Sequence, residues 1–237
     1  MDVEIWSDVN CPWCYIGKRR FEAALARFEH AGEVNLTWRS FELDPGAPAE
    51  TPGNGATLLA EKYGVPLERA RAMEQNVTEI AAAEGLHYDL QHARIGSSFD
   101  AHRLVHLAAR HGLQDEMEER LFRARFSEGR LISELETLVQ LAGEVGLEGA
   151  EVRATLAADD FAREVRDDER TAQALGISGV PMFVVDRAYG MSGAQPAEQL
   201  TALLEHARAA SGADGDAADG PDGDGSGAET DAQSRSM

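Results

Sequence analysis

Apolar and polar residues alternate along Val3-Glu4-Ile5-Trp6 and again along Val34-Asn35-Leu36-Thr37-Trp38-Arg39-Ser40-Phe41, the period-two pattern of strands. A helix is predicted between them. It starts near Cys11, where Pro12 occupies a first-turn position that tolerates proline, and continues to His30 with Phe21, Leu25 and Phe28 on one face. Asp44 to Gly53, rich in Pro, Gly and Ala, reads as a connector. From about Ala56 to Ala158 the period becomes helical, with helices predicted over Pro66–Glu84, Ser98–His111, Gln114–Phe126, Ser133–Val145 and Ala150–Ala158. A further helix covers Phe161 to Leu175 and is closed by Gly176. Strand character returns at Met182–Val185 and Tyr189–Ser192, on either side of a turn at Asp186-Arg187-Ala188, and Pro196 opens a last helix to about Ala209. The order is therefore β-α-β, a helical block, then α-β-β-α. It predicts an α/β unit made of residues 1–43 and 160–210, interrupted by an all-helical insertion over residues 44–159.

After Ser211 the composition collapses to Gly, Asp, Ala and Ser. Such a segment buries too little apolar surface to offset its ordering entropy, so residues 211–237 are expected to form a disordered acidic tail. The tail carries a disproportionate share of the formal net charge of -20. That charge repels a phosphate backbone and argues against a nucleic-acid partner. At 43% hydrophobic, the 237 residues can still build a substantial core. No run of about 18 apolar residues is present to span a membrane. Met1 leads directly into the first strand without the basic and apolar regions of a signal peptide, so the expected location is the cytoplasm. A structural disulfide is not expected in that compartment, where a Cys-x-x-Cys pair is instead catalytic or metal-binding.

The chain has two cysteines, Cys11 and Cys14, in the stretch "VNCPWCYIGKRRF". They can be a redox pair, half of a metal site, or two buried thiols. The thiolate is the form that attacks a disulfide, and a thiol at a helix start faces unpaired N–H groups and the positive end of the helix dipole. Cys11 holds that position, and Cys14 lies one turn further in, close enough to attack a mixed disulfide from behind. The division predicts a nucleophile, Cys11, and a resolving thiol, Cys14. A zinc site needs four ligands, and the chain has no second cysteine pair. His102 and His106 stand four residues apart on a helix, a spacing compatible with a metal, but a core and a surface histidine explain them as well. No metal is expected. Lys18, Arg19 and Arg20 read as a solvated helix face.

A Cys-x-x-Cys next to a β-α-β pattern favours the redox reading. So does Gly179-Val180-Pro181-Met182-Phe183-Val184, which places a proline at the start of a strand. A cis Val180–Pro181 bond is predicted to face the cysteines and leave the Val180 backbone free to pair with an extended substrate.

"CPWCYIGKRRFE" and "ALGISGVPMFVVD", supported by "WRSFELDP" and "FDAHRLVHLA", together resemble the DsbA-like thioredoxin superfamily. The narrower resemblance is to the FrnE group of cytoplasmic dithiol–disulfide oxidoreductases, and it extends over about residues 1–210. It implies a thioredoxin fold with an inserted helical domain and a thiol–disulfide oxidoreductase or isomerase. Cys11, Cys14 and Pro181 would be the catalytic residues, with no cofactor beyond a redox-active Cys11–Cys14 disulfide. Val180, Trp13 and Pro12 would meet substrate or tune the pair, and His102 falls in a segment that lies near the site in that family. The partner would be a protein or small-molecule disulfide or dithiol, glutathione included. The second cysteine pair of some relatives is missing from this chain. An alternative reading is a glutathione-dependent isomerase or transferase of the kappa-class or 2-hydroxychromene-2-carboxylate isomerase type. Those proteins use serine in place of the nucleophilic cysteine and have no use for Cys14. A holdase with an apolar helical surface is the third reading.

Overall fold

The computed structural model describes residues 1–216. Strands β1 (Asp2–Ser7), β2 (Asn35–Ser40), β3 (Met182–Val185) and β4 (Tyr189–Ser192) form one sheet in the order β2-β1-β3-β4. β1 runs parallel to β2 and antiparallel to β3, which pairs antiparallel with β4. Helix α1 (Pro12–Leu25) makes the crossover that the parallel pair requires. Asp186 and Arg187 both take positive φ, 49° and 54°, forming the tight β3–β4 turn predicted at that point.

Six helices follow β2: α2 (Gly55–Tyr63), α3 (Leu67–Ala83), α4 (Phe99–Arg110), α5 (Gln114–Phe126), α6 (Leu135–Glu144) and α7 (Gly149–Ala157). The chain returns to the sheet through α8 (Ala162–Ala174) and ends in α9 (Ala197–Asp216). Helix α9 passes Ser211, where the sequence placed the start of the tail, and continues to Asp216. The rest of the tail expectation falls on residues 217–237, outside the described residues.

Alternation in β1 and β3 sets the two faces of the sheet. Val3, Ile5, Phe183 and Val185 pack with Phe21 of α1 and Leu200 and Leu204 of α9. On the opposite face Trp6 and Val184 pack with Ala172 of α8. The first cluster also takes in Leu104, Met117 and Leu138, so the sheet and the helical block share one apolar core.

Two sequence expectations need correction here. Helix α1 ends at Leu25 rather than His30. The next N–H groups, of Arg27 and Phe28, bond Ala24 and Leu25 three residues back, and this tighter turn directs Phe28 into the core. The basic run of α1 is not a solvated face. Lys18 is 2% exposed and pairs with Glu22, Asp115 and Glu119, while Arg19 pairs with Glu119 and Arg20 with Glu84. These contacts tie α1 to α5 and to the end of α3.

Candidate active site

Strand β1 delivers the chain through Asp8-Val9-Asn10 into Cys11, the N-cap of α1, whose backbone is extended (φ -92°, ψ 112°). Pro12 follows as the first helical residue. The Cys11 N–H donates to the Asp8 carbonyl at 2.8 Å, and the Cys14 N–H donates to the Cys11 carbonyl at 3.0 Å. Both cysteines are free thiols and both are buried, Cys11 with 4% of its surface exposed and Cys14 with 1%. Pro12 is half-buried, and Trp13 stands out at 39% exposure.

The Val180–Pro181 bond is cis. The Cys11 thiol points at the Val180 carbonyl, with Sγ to O at 3.7 Å. The structure thus brings Cys11, Cys14, Val180 and Pro181 together from segments about 170 residues apart in the chain. Gly17 makes this possible. A Cβ at that position would lie 3.0 Å from the Pro181 ring and 3.4 Å from Phe183. A glycine inside a helix costs about 1 kcal/mol relative to alanine, and here it is the room for proline that accounts for it.

The electrostatics beneath the thiols come mostly from the helical block. Burial pushes the Cys14 thiol well up, and the neighbouring Cys11 pushes it further. Ser7 lies beside Cys14 and eases this effect. The Ser7 hydroxyl in turn donates to Glu118 Oε1 of α5 at 2.8 Å. Burial pushes the Glu118 carboxyl up to about 7, against the pull of His102, Ser7 and Lys18. Asp8 accepts N–H groups from Asn10 at 2.9 Å and Leu43 at 2.7 Å, and His102 Nε2 lies 3.7 Å away. Burial alone would raise Asp8, but His102 and the two N–H groups hold it below the usual carboxylate range. Burial alone would lower His102, but Asp8 chiefly, with Glu118 and Glu42, carries it above its ordinary value.

His102 does not reach the surface a substrate would touch. It is 2% exposed and faces Asp8, so its place is behind the site rather than in it. His106, four residues on, bonds Ser40 and pairs with Asp168 at 3.1 Å, turning away from His102. Sequence reading also missed an aromatic wall. Tyr15 stacks on Phe122 with ring centroids 4.9 Å apart, Tyr88 stacks on Phe126 at 5.0 Å, and the Tyr88 hydroxyl donates to the Pro12 carbonyl at 2.7 Å. A cavity of about 550 Å³ opens beside this wall, lined by Asn10 and Pro12 on the two sides of Cys11 and by residues of α2 and α3.

Comparison with known proteins places this geometry. Residues 2–205 match the DSBA-like thioredoxin domain family. A probable DsbA oxidoreductase from Streptomyces coelicolor, known from its crystal structure, is 50% identical with a TM-score of 0.85 over 88% of this chain and 90% of that one. The uncharacterized protein YwbO of Bacillus subtilis is 28% identical, over 77% of this chain and 86% of its own. The cytosolic disulfide reductase DsbM of Pseudomonas aeruginosa shares the fold at 20% identity, with a TM-score of 0.60 over 89% of this chain and all of that one (100%). The fold is α/β, of the thioredoxin type, with helices inserted between β2 and β3.

Proposed function

We propose that this chain, which belongs to the DSBA-like thioredoxin domain family, is a dithiol–disulfide oxidoreductase or isomerase that works through Cys11 and Cys14. The observation that carries the reading is the Cys11 thiol at the helix start, 3.7 Å from the Val180 carbonyl, with the more deeply buried Cys14 behind it. In our reading the Cys11 thiolate attacks one sulfur of a substrate disulfide, and the other sulfur leaves as a thiolate that takes up a proton. The Cys14 thiol gives up its proton and attacks the Cys11 sulfur. That breaks the mixed disulfide and leaves the protein oxidised and the substrate reduced. Glu118, reached through Ser7, accepts the Cys14 proton. The Val180 backbone, with Pro181 after it, pairs with the incoming segment. Trp13 and Pro12 form the adjoining surface. Running in reverse, the same steps oxidise a dithiol substrate.

The FrnE type of this family and a cytoplasmic location remain part of the reading. No described helix is long and apolar enough to cross a membrane. The substrate is a protein or small-molecule disulfide or dithiol. Glutathione is included because DsbM, a fold neighbour, has been solved with GSH. The 2-hydroxychromene-2-carboxylate isomerase neighbour shares the fold at 12% identity, but a resolving thiol gives an isomerase of that type nothing to do.

The test is a redox titration of the protein in glutathione buffers, together with insulin reduction by the wild type, Cys11→Ser and Cys14→Ser. A single two-electron transition is expected, with C11S inactive and C14S trapped as a mixed disulfide. Absence of a Cys11–Cys14 disulfide at any potential would refute the reading.

A further inference from the structure

The cavity beside the cysteines contains a cation that forms no ion pair among the described residues. Arg125 of α5 lines it and is 5% exposed. Its Nε donates to Asn10 Oδ1 at 3.0 Å, its Nη1 has no hydrogen-bond partner, and its guanidinium lies over the Phe126 ring at 5.1 Å. Buried polar groups in native proteins are almost always paired, so a guanidinium Nη1 without a partner among the described residues is a donor awaiting an acceptor. Burial draws Arg125 down to about 10, against Asp8 and Glu74, so the group is still charged at neutral pH.

The carboxylates nearby do not satisfy it. Asp8 is taken up by Asn10, Leu43 and His102. Glu74 lines the cavity but forms no ion pair with Arg125 among the described residues, and burial raises its carboxyl towards the neutral form. Asp44 and Glu61 also line the cavity but are exposed, as is Lys62. The inner wall therefore offers the Arg125 cation beside an Asp8 carboxylate that is already engaged, and the rim offers mainly carboxylates, with apolar wall between from residues such as Leu58 and Val77. A molecule that places a carboxylate inward and an ammonium outward matches both ends. At about 550 Å³ the space suits an amino acid or short peptide.

We propose that this cavity is a subsite for amphoteric low-molecular-weight disulfides of the amino-acid or short-peptide class, whose carboxylate is held by Arg125. The proposal rests on the reading of Cys11 as the attacking thiol. Asn10 and Pro12, the chain neighbours of Cys11, are in the cavity wall, so a ligand seated there lies next to the segment that carries the reacting thiol. Cys11 forms a bond to one ligand sulfur, the ligand S–S bond breaks, and the leaving thiolate is protonated. Attack by Cys14 then releases the second half as a thiol. The two electrons come from the protein dithiol.

The test is single-turnover oxidation of the prereduced protein by cystine, which has the carboxylates, and by cystamine, which lacks them, for the wild type, Arg125→Met and Arg125→Lys. Loss of one charge-assisted contact should slow R125M with cystine by about 10- to 100-fold, R125K by less, and change the cystamine rate by less than about 3-fold. Equal losses with both disulfides, or no loss with cystine, would overturn the subsite. Binding of S-methylcysteine, which cannot exchange, is followed by NMR in parallel and should be lost in R125M. If the wild type exchanges with neither disulfide, the redox reading has failed and this binding measurement alone decides the subsite. Absence of wild-type binding would then overturn it too. Thermal melts of the three proteins exclude unfolding as the cause.

Discussion

Glu118→Gln should stabilise the protein at alkaline pH and leave it nearly unchanged at acid pH. Glu118 is 1% exposed and its carboxyl rises from an ordinary value of 4.5 to about 7. A carboxyl raised in the fold is favoured in its protonated form. Its contribution is complete below pH 4.5 and is lost as the pH climbs through about 7. At about 1.4 kcal/mol for each tenfold change in proton affinity, the loss amounts to about 3 kcal/mol. Glutamine has the same shape, keeps an oxygen to accept the Ser7 hydroxyl, and has no proton to lose. The sequence pI of about 4.6 makes the protein prone to association at lower pH, so the useful range starts near pH 5. Urea denaturation of both reduced proteins between about pH 5 and 8.5 should show the stability difference opening by about 2–3 kcal/mol in favour of the variant. In thermal melts this is roughly 5–10 °C. A difference that does not change with pH would refute the displaced carboxyl. A difference opening the other way would mean that the fold favours the carboxylate. In the proposed reaction the same variant should lose the inflection near pH 7 in the release of the mixed disulfide, while attack by Cys11 is unaffected.

Three further outcomes follow from the same geometry. Gly17→Ala gains about 1 kcal/mol of helix propensity but drives a methyl to 3.0 Å from the Pro181 ring. Overpacking of this kind costs roughly 1–3 kcal/mol, so a lower Tm and slower single-turnover exchange are expected, and a more stable, equally fast variant would contradict the contact. Asp8→Asn should cost about 3 kcal/mol at neutral pH, because it leaves His102 without its partner. His102 is raised in the fold chiefly by Asp8, so its share of the pair is present below pH 6.5 and is lost as the pH rises through its folded value; the penalty in denaturation experiments should shrink towards alkaline pH. Lys18→Met removes one of the charges that hold Glu118 down, and should move the Glu118 inflection in the stability profile to higher pH.

The elements that could be read from the chain are those whose signal is local. The bounds of α5, β3 and β4 coincide with prediction because a periodic run is closed on each side by a turn or cap residue. Cys11, Cys14 and Pro181 were legible for the same reason, each standing in a short motif at the start of an element. The charged residues beneath the site were not. In "QDEMEERLFRARF" Glu118 and Arg125 look like solvent positions by residue type, and only the packing of α5 under the end of β1 buries them. A usable signal did exist. Glu118, Phe122 and Phe126 are spaced four apart, so Glu118 continues the stripe that the two aromatic residues bury. His102 went the other way. Its motif suggested the site, but its side chain is covered and turned to Asp8, and a sequence motif does not record orientation.

The two thiols and the groups that govern them belong to different parts of the chain. Cys11 and Cys14 stand on α1 beside the sheet, whereas Glu118 and Arg125 come from α5 and His102 from α4. At Cys14 two effects oppose each other. Burial raises the thiol, which protects the reduced pair from indiscriminate oxidation but makes Cys14 a slow attacker at neutral pH. Ser7 acts the other way on the thiol, and Glu118, which accepts the Ser7 hydroxyl, has a carboxyl near 7 that in the proposed reaction can both accept a proton and return it within the physiological range. In the proposed reaction the helical block therefore serves the second step of exchange even though it holds neither sulfur. Lys18 fixes this arrangement, since it reaches from α1 to Asp115 and Glu119, which flank Glu118 on α5. The ion pairs of α1 thus set the register between Cys14 and Glu118, the group that takes its proton in the proposed reaction.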